Sequence, residues 1–578
     1  MRHAKIGAAI YAAQLIAAST VTANNIKVDF NFPPALPESE RQVLKKNTGT
    51  ATATVQFNVS WENSWRVTSG PSNFDAAWVF VKYHTGDLIW KTATLDISDA
   101  AHSVPATATL DVGKNDAGTR GLGAFIYRAA AGSGDVSYNN VKLVWNYGAD
   151  GVTDTSLVTL DVHAIEMVYV PQGAFQLGDG VSRAGAAAIA SLVTAATPAG
   201  TVPFNVTTAG PIVTGPTPAG SLTATGLAAG AYKAIPTTFP TGFAPYYLMK
   251  YEASQHQWAA FVNTTSKLPA ITYTYFEFTA NTIQNPVDFI EPLFGRQDFN
   301  SPDLAPHIYG YYVSPLPATG GVPLPLVPTR PIVQAKFPDR AFLSTEAGTL
   351  AYLDWSGLRP MTEFEFEKAC RGPVAPVQGE YAWGTADVAL QTYGTLILGQ
   401  NALTEDGTPA EAPASNYNTQ GGNAWTRATI LTLTTGIPVF GPCRVGMFAK
   451  ENYEPEVIVG LPTPPPNAPA RIQSGSGYYG IMDLTGNVSE LVAAWAFPLA
   501  AVTTIFSAEH GDGVLSATGL HNVPGWALTP AGATFYGLRG GSYAEQALPA
   551  SQRSLLAAGS MTNPGIRGAR TAPVITTP

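Results

Sequence analysis

The stretch Leu358-Arg359-Pro360-Met361-Thr362-Glu363-Phe364-Glu365-Phe366-Glu367-Lys368-Ala369 decides how this chain is read. Thr362 followed by Glu365 is a capping box, in which hydroxyl and carboxylate each satisfy a backbone N–H at the start of a helix. Glu363, Glu365 and Glu367 fill the first turns and Lys368 and Arg371 the last, as the helix dipole favours. Gly372-Pro373 then stops the segment. The spacing predicts a helix from Glu363 through Cys370. Ser254 with Gln257 predicts a second helix ending near Asn263, and a third covers Glu346 to Trp355 and ends at Gly357.

Outside these three segments the composition points to strands and loops. The chain has 578 residues with Gly 56 and Pro 46, rich in punctuation and in Ala and Thr. At about 150 residues per domain it holds four domains, or fewer with large insertions. Lys+Arg 32 against Asp+Glu 41 leaves a net charge of -9, which argues against a general nucleic-acid binder. Charged residues make up 13% and hydrophobic ones 45%, the reverse of what a mostly disordered chain needs. A surface so poor in charge suits a protein that works outside cells or inside a larger assembly. Cys370 and Cys443 exclude a disulfide framework, and a single bridge between them stays open.

Residues 1–23 place Arg2 and Lys5 before a weakly apolar run, then Val21-Thr22-Ala23, the order of a secretory signal peptide. The alternative is an N-terminal arm that packs on a neighbour. No segment reaches transmembrane length. Residues 24–162 read as an antiparallel β-sandwich, with strands at 55–61, 77–81, 123–127 and 141–145 separated by turns such as Asn115-Asp116-Ala117-Gly118. Residues 163–578 form a second, α+β unit with insertions near 181–240, 314–330, 385–412 and 455–475. The first of these, Ala/Thr/Gly/Pro-rich and almost uncharged, is either an elaborate loop or an extra β-hairpin layer.

Landmarks in the second unit occur in a fixed order. They begin with Met167-Val168-Tyr169-Val170-Pro171 and Gly178, then Met249-Lys250-Tyr251-Glu252-Ala253-Ser254, the opening stretch, and Tyr381-Ala382-Trp383-Gly384. Arg444-Val445-Gly446 follows, then Gly480-Ile481-Met482-Asp483-Leu484-Thr485-Gly486-Asn487-Val488-Ser489-Glu490, Leu538-Arg539-Gly540-Gly541-Ser542-Tyr543 and Gly565-Ile566-Arg567. This order resembles the formylglycine-generating enzyme family, the sulfatase-modifying factors, over residues of about 165–570. The resemblance implies an irregular α+β fold of the C-type-lectin type.

The resemblance also implies chemistry, which must be tested residue by residue. Family oxidases hold Cu(I) between two thiolates just after the Arg-Gly-Gly-Ser motif, and soft thiolates are what Cu(I) requires. Here Ser542 to Pro578 contains no cysteine, and the counterparts are Pro549 or Ala550 and Ser554. No copper is expected, and Cys370 and Cys443 read as packed structural thiols. The eight histidines are scattered without helical pairing, which disfavours iron and zinc sites. A structural Ca²⁺ is implied in the turn where Asp483 and Glu490 offer carboxylates and Gly486 and Val488 offer carbonyls. Asn416, with the Tyr417 carbonyl, would belong to a second such site. Arg539 and Arg567 read as core struts. Tyr543, Glu545, Gln546, Gln552, Arg553, Ser554 and Asn563 make a polar segment suited to ligand recognition.

The reading is therefore a non-catalytic, secreted or surface protein that binds a protein or glycan ligand or identical subunits. Its alternatives are a structural subunit of a fibre, shell or virus particle, and an oxidase of the formylglycine type, which the missing thiolates disfavour.

Overall fold

A computed structural model of the protein describes residues 26–31, 43–85, 89–156, 158–180, 192–195, 202–224, 234–265, 294–296, 309–311, 341–388, 421–422, 424–426, 442, 445–446, 448, 471–472, 474–495, 506–526, 536–543, 547–555 and 564–572. Its first part is built of β1 (Lys27–Asp29), β2 (Leu44–Asn47), β3 (Thr52–Arg66), β4 (Asp75–His84), β5 (Lys91–Thr92), β6 (Ala108–Lys114), β7 (Gly121–Arg128), β8 (Gly132–Trp145) and β9 (Thr159–Val170). The four runs expected as strands lie in β3, β4, β7 and β8. One layer holds β1, β2 and β8 around β3, and the other runs β6-β7-β4-β9 with β5 on β4.

Strand alternation fills the space between the layers. Val55, Phe57, Val59 and Trp61 of β3 and Leu143 and Trp145 of β8 share one core with Ala77, Val79 and Val81 of β4 and Ile126 of β7. The opposite face of β4 is not left to solvent. Trp78 and Phe80 enter a second core together with Leu350, Leu353 and Trp355. Every residue of β4 is buried as a result. Trp78 needs room on its own sheet, and Gly113 and Gly123 supply it. A Cβ at either position would come within 2.4 and 2.7 Å of the indole.

The remaining elements are β10 (Phe175–Leu177), β11 (Leu192–Thr194), β12 (Phe204–Val206), β13 (Leu222–Ala224), β14 (Tyr246–Met249), α1 (Gln255–Asn263), β15 (Phe294–Arg296), β16 (Tyr309–Tyr311), α2 (Glu346–Trp355), β17 (Arg359–Thr362), α3 (Glu363–Arg371), β18 (Asp387–Val388), β19 (Gly421–Gly422), β20 (Glu490–Ala493), β21 (Tyr536–Arg539), β22 (Ser554–Leu555) and β23 (Gly568–Thr571). The three helices sit where the capping signals put them. Both boxes close reciprocally, at Ser254 with Gln257 and at Thr362 with Glu365. Gly372 ends α3 with φ 64°, a conformation that favours glycine. In the described part of 181–240, β11 pairs β13, and β12 pairs β10 just before the insertion, so it adds antiparallel ribbons. Residues 314–330 and 455–470 lie outside the described residues, as do 389–412 and the N-terminal 1–23.

The two parts do not meet at a linker. One sheet runs β22-β21-β20-β17-β23-β14-β9-β4-β7-β6, so strands of both belong to it. β9 is the shared member. Thr159 to Val168 pairs with β4, and Met167 to Val170 pairs with β14 on the other side. The boundary expected between residues 162 and 163 therefore falls inside a strand. Buried polar contacts reinforce the join. Trp78 Nε1 donates to the Ser356 carbonyl at 2.8 Å, and Lys82 Nζ to those of Trp355 at 2.6 Å and Gly513 at 3.1 Å. Arg570 donates to the carbonyls of Gly357 and Lys114, with its guanidinium 4.7 Å from the Trp78 ring centroid. Among the described residues, no helix is long and apolar enough to cross a membrane.

Candidate functional site

The segment after Arg539 is held from beneath by α3. Its three glutamates are buried, and each is paired with at least one arginine. Glu365 closes the capping box and takes Arg359 at 2.6 and 2.8 Å. Glu363 receives Arg539 at 2.8 Å and Arg553 at 2.6 and 2.8 Å, together with the Trp495 N–H. Glu367 accepts from Arg371 at 3.0 Å, Arg539 at 3.3 Å and the Gly178 N–H at 2.7 Å. Burial alone would raise the Glu363 carboxyl, but Arg553 and Arg539 outweigh it and hold it below the usual range. Arg539 also donates to the carbonyls of Ala550 at 2.9 Å and Gln552 at 3.3 Å, which fixes the path of the loop above.

This geometry corrects one expectation. Arg553 is 2% exposed and its guanidinium is committed to Glu363 and the Trp495 carbonyl, so it is a strut and no part of a recognition face. A polar residue type favours the surface on average, and Arg553 departs from that because its partner lies 190 residues away. Gln552 and Tyr543 are half-buried beside it. Ser554 opens β22 and pairs with Leu538 through the backbone. Glu545, Gln546 and Asn563 lie outside the described residues.

The turn from Asp483 to Glu490 forms the neighbouring wall. Asp483, Gly486 and Asn487 adopt φ values of 57°, 87° and 55°, which wind the chain tightly. Backbone bonds tie it to the segment above: Gly486 N–H donates to the Gly540 carbonyl at 3.1 Å and Tyr543 N–H to the Asn487 carbonyl at 2.8 Å. The Tyr543 ring packs on Val488 and Val445, and burial raises its hydroxyl. The turn and the start of the segment after Arg539 therefore lie side by side at Gly540 and Tyr543.

Three buried carboxyls crowd this turn. Asp483 accepts from the Gly446 N–H at 2.6 Å. Glu490 takes Arg567 at 3.2 Å through Oε1, while its Oε2 is buried without a hydrogen-bond partner. Glu252, quoted in the sequence motif but given no role there, accepts from the Asn487 side chain at 2.5 Å and the Val488 N–H at 3.1 Å. Burial pushes Glu490 up to about 8, with Arg567 opposing and Asp483 adding to the shift. Burial also holds Glu252 well above its usual range, and Asp483 and Glu490 add to that. Three buried acids crowd this turn, and the orphaned Glu490 oxygen fits a hard cation. Among the described residues, no group of three or more His, Cys, Asp or Glu side chains is arranged to hold a metal. A cation here would need backbone oxygens as well. Asn416 lies outside the described residues.

Cys370 sits on α3 as a free thiol with no exposure, and burial raises it far above the ordinary thiol range. A thiol held protonated is a poor nucleophile and a poor metal ligand. Cys443 lies outside the described residues.

Residues 158–572, more than two thirds of the chain, match the family described as sulfatase-modifying factor enzyme 1-like domain. No curated protein matches the chain.

Proposed function

The chain belongs to the sulfatase-modifying factor enzyme 1-like family, and from that premise we propose that it is a non-catalytic member, an extracellular protein that recognises a ligand or a neighbouring subunit. One observation carries this reading. No cysteine follows Arg539-Gly540-Gly541-Ser542, and the space beneath that segment is taken up by the Arg539–Glu363–Arg553 cluster. Serine, alanine and proline oxygens or carbons at 549, 550 and 554 supply no soft ligand for Cu(I). The region instead offers Tyr543, Glu545, Gln546, Gln552, Ser554 and Asn563 for a protein or glycan. The N-terminal layers act as a sandwich-like dock, and the family domain has the C-type-lectin type of fold.

Ca²⁺ belongs to the same proposal as a structural ion in the Asp483–Glu490 turn. Asp483 and Glu490 would hold it with the carbonyls of Gly486 and Val488. When bound it supplies positive charge to the buried carboxyls, and Glu252 keeps the turn in place by accepting from Asn487 and Val488.

The test is incubation of the purified full chain with Cu(I), oxygen and a cysteine-containing peptide. No aldehyde should form on the peptide; accumulation of formylglycine would overturn the reading. A second reading, a structural subunit of a fibre, shell or virus particle, is favoured by the paired ribbons of the 181–240 insertion. They leave Val202 and Val213 48% and 60% exposed, as contact loops would. Electron microscopy with light scattering separates the two. Ordered particles or filaments assign a subunit, and a monomer or small oligomer directs the search to glycan and peptide arrays.

A further inference from the structure

The shared strand brings together three ionisable side chains that neither the fold nor the candidate site uses. Ala77 of β4 lies opposite Glu166 of β9, and Asp75 lies opposite Val168 two residues along. On the other side Met249 lies opposite Met167, and the Lys250 N–H donates to the Glu166 carbonyl. Opposed residues share a face of a sheet, so Asp75, Glu166 and Lys250 project to the same side from three adjacent strands. There Lys250 Nζ is 2.5 Å from Glu166 Oε1 and 4.0 Å from Asp75 Oδ2. The side chains of all three are 6% exposed or less. Trp65 and Tyr251 wall the ammonium, with ring centroids at 4.8 and 5.2 Å.

From this arrangement we propose that Lys250 and Asp75 join in an intramolecular amide, with Glu166 moving the protons. A single ammonium cannot neutralise two dry carboxylates, so one acid of the pair keeps a proton. Burial is the largest influence on both, raising Asp75 and pushing Glu166 up to about 8. Both carboxyls face the same ammonium, and the charge of Asp75 adds to the rise at Glu166. The Asp75 carboxyl is in turn set among fixed donors. Trp61 Nε1 reaches Oδ2 at 2.8 Å, while the Ser64 hydroxyl and the Trp65 N–H reach Oδ1 at 2.7 and 3.0 Å. Donors so placed polarise the carbonyl and stabilise an oxyanion on it.

The step balances without an oxidant or co-reactant. Glu166, as carboxylate, takes one hydrogen of the Lys250 ammonium and leaves a neutral amine. The amine attacks Cγ of protonated Asp75, and the C–N bond forms while the C–OH bond breaks. A second ammonium hydrogen leaves with the hydroxyl as water, and the third stays on the amide. Two fixed groups 4.0 Å apart in a water-poor site replace an encounter, and exclusion of water disfavours the reverse hydrolysis. Val168 and Val170 stand beside the site in an apolar cluster, consistent with such exclusion.

The experiment is mass spectrometry of the purified, denatured full chain, followed by peptide mapping. The expected result is a branched peptide joining the segments around Asp75 and Lys250, lighter by one water than their sum. Recovery of the two segments separately at full mass would overturn the proposal, and this outcome needs no variant to fold. Asp75→Asn should give the same branched product with loss of ammonia in place of water. Lys250→Arg should give only separate segments. Glu166→Gln should leave the chain largely unjoined, and equal joining in that variant would overturn the role given to Glu166.

Discussion

Between β3 and β8 the backbone satisfies itself, whereas between residues 480 and 570 it relies on side chains. The long antiparallel ladder from Ala53–Trp145 to Arg66–Gly132 bonds backbone to backbone along both strands, with two register shifts, and the core behind it is largely apolar. The family domain has short strands and winding loops, so many carbonyls fall inside without a ladder partner. Arginines reach them: Arg539 serves Ala550 and Gln552, Arg567 serves Met249, Lys250 and Met482, and Arg471 serves Cys370 and Ala382. Each buried guanidinium needs an acid nearby, and α3 provides three. The difference teaches that an irregular backbone can be kept dry only by placing charge in the core. It also explains how a chain with few charges has a surface poorer still in them.

Substitutions should expose this contrast, the strongest first. Glu363→Ala leaves Arg539 and Arg553 buried without their acid and should cost about 4 kcal/mol in denaturant unfolding. A loss below about 1 kcal/mol would mean that solvent reaches the cluster and that the two cores do not differ in kind. Leu143→Ala in the sheet core should cost about 3 kcal/mol through a cavity alone. Its effect should be insensitive to salt and pH, unlike that of Glu363→Ala. Removing calcium with a chelator should lower the melting temperature by an amount equivalent to about 2 to 3 kcal/mol, and no shift would remove the ion from the turn. Thr362→Ala opens the capping box of α3 and should cost about 1 kcal/mol.

A pH effect lies at the join. Burial lowers Lys82 to about 7, from an ordinary lysine value of 10.5, while Asp354 and Asp512 oppose the shift. Between those two values the unfolded chain binds a proton that the folded one does not, so this residue makes stability rise with pH across that window. Lys82→Met should flatten the rise, as read from melting curves at successive pH values. An unchanged slope would place the titration elsewhere.

Much of this was legible beforehand because its causes are local. Both capping boxes, the Gly372 stop and the alternation of β3, β4, β7 and β8 depend on residues within a few positions of one another. The site was half legible. Asp483 and Glu490 share one turn, but its bond to Tyr543 was not foreseen, Arg553 turns inward, and Glu252 gave no signal, because each of these contacts joins residues far apart along the chain. The shared strand was hidden for the same reason. Thr159 to Val170 alternates and then becomes continuously apolar, which resembles the end of one unit and the start of another. Only the pairings on its two edges reveal one uninterrupted element.

That strand also has a mechanical meaning. Antiparallel hydrogen bonds lie across the strand axis, so a force applied along β9 loads its pairs with β4 and β14 side by side. They share the load and do not open in turn like a zipper. A pull on the N-terminal layers would reach the family domain through this shared sheet. Tension on one is delivered to the other with its direction preserved.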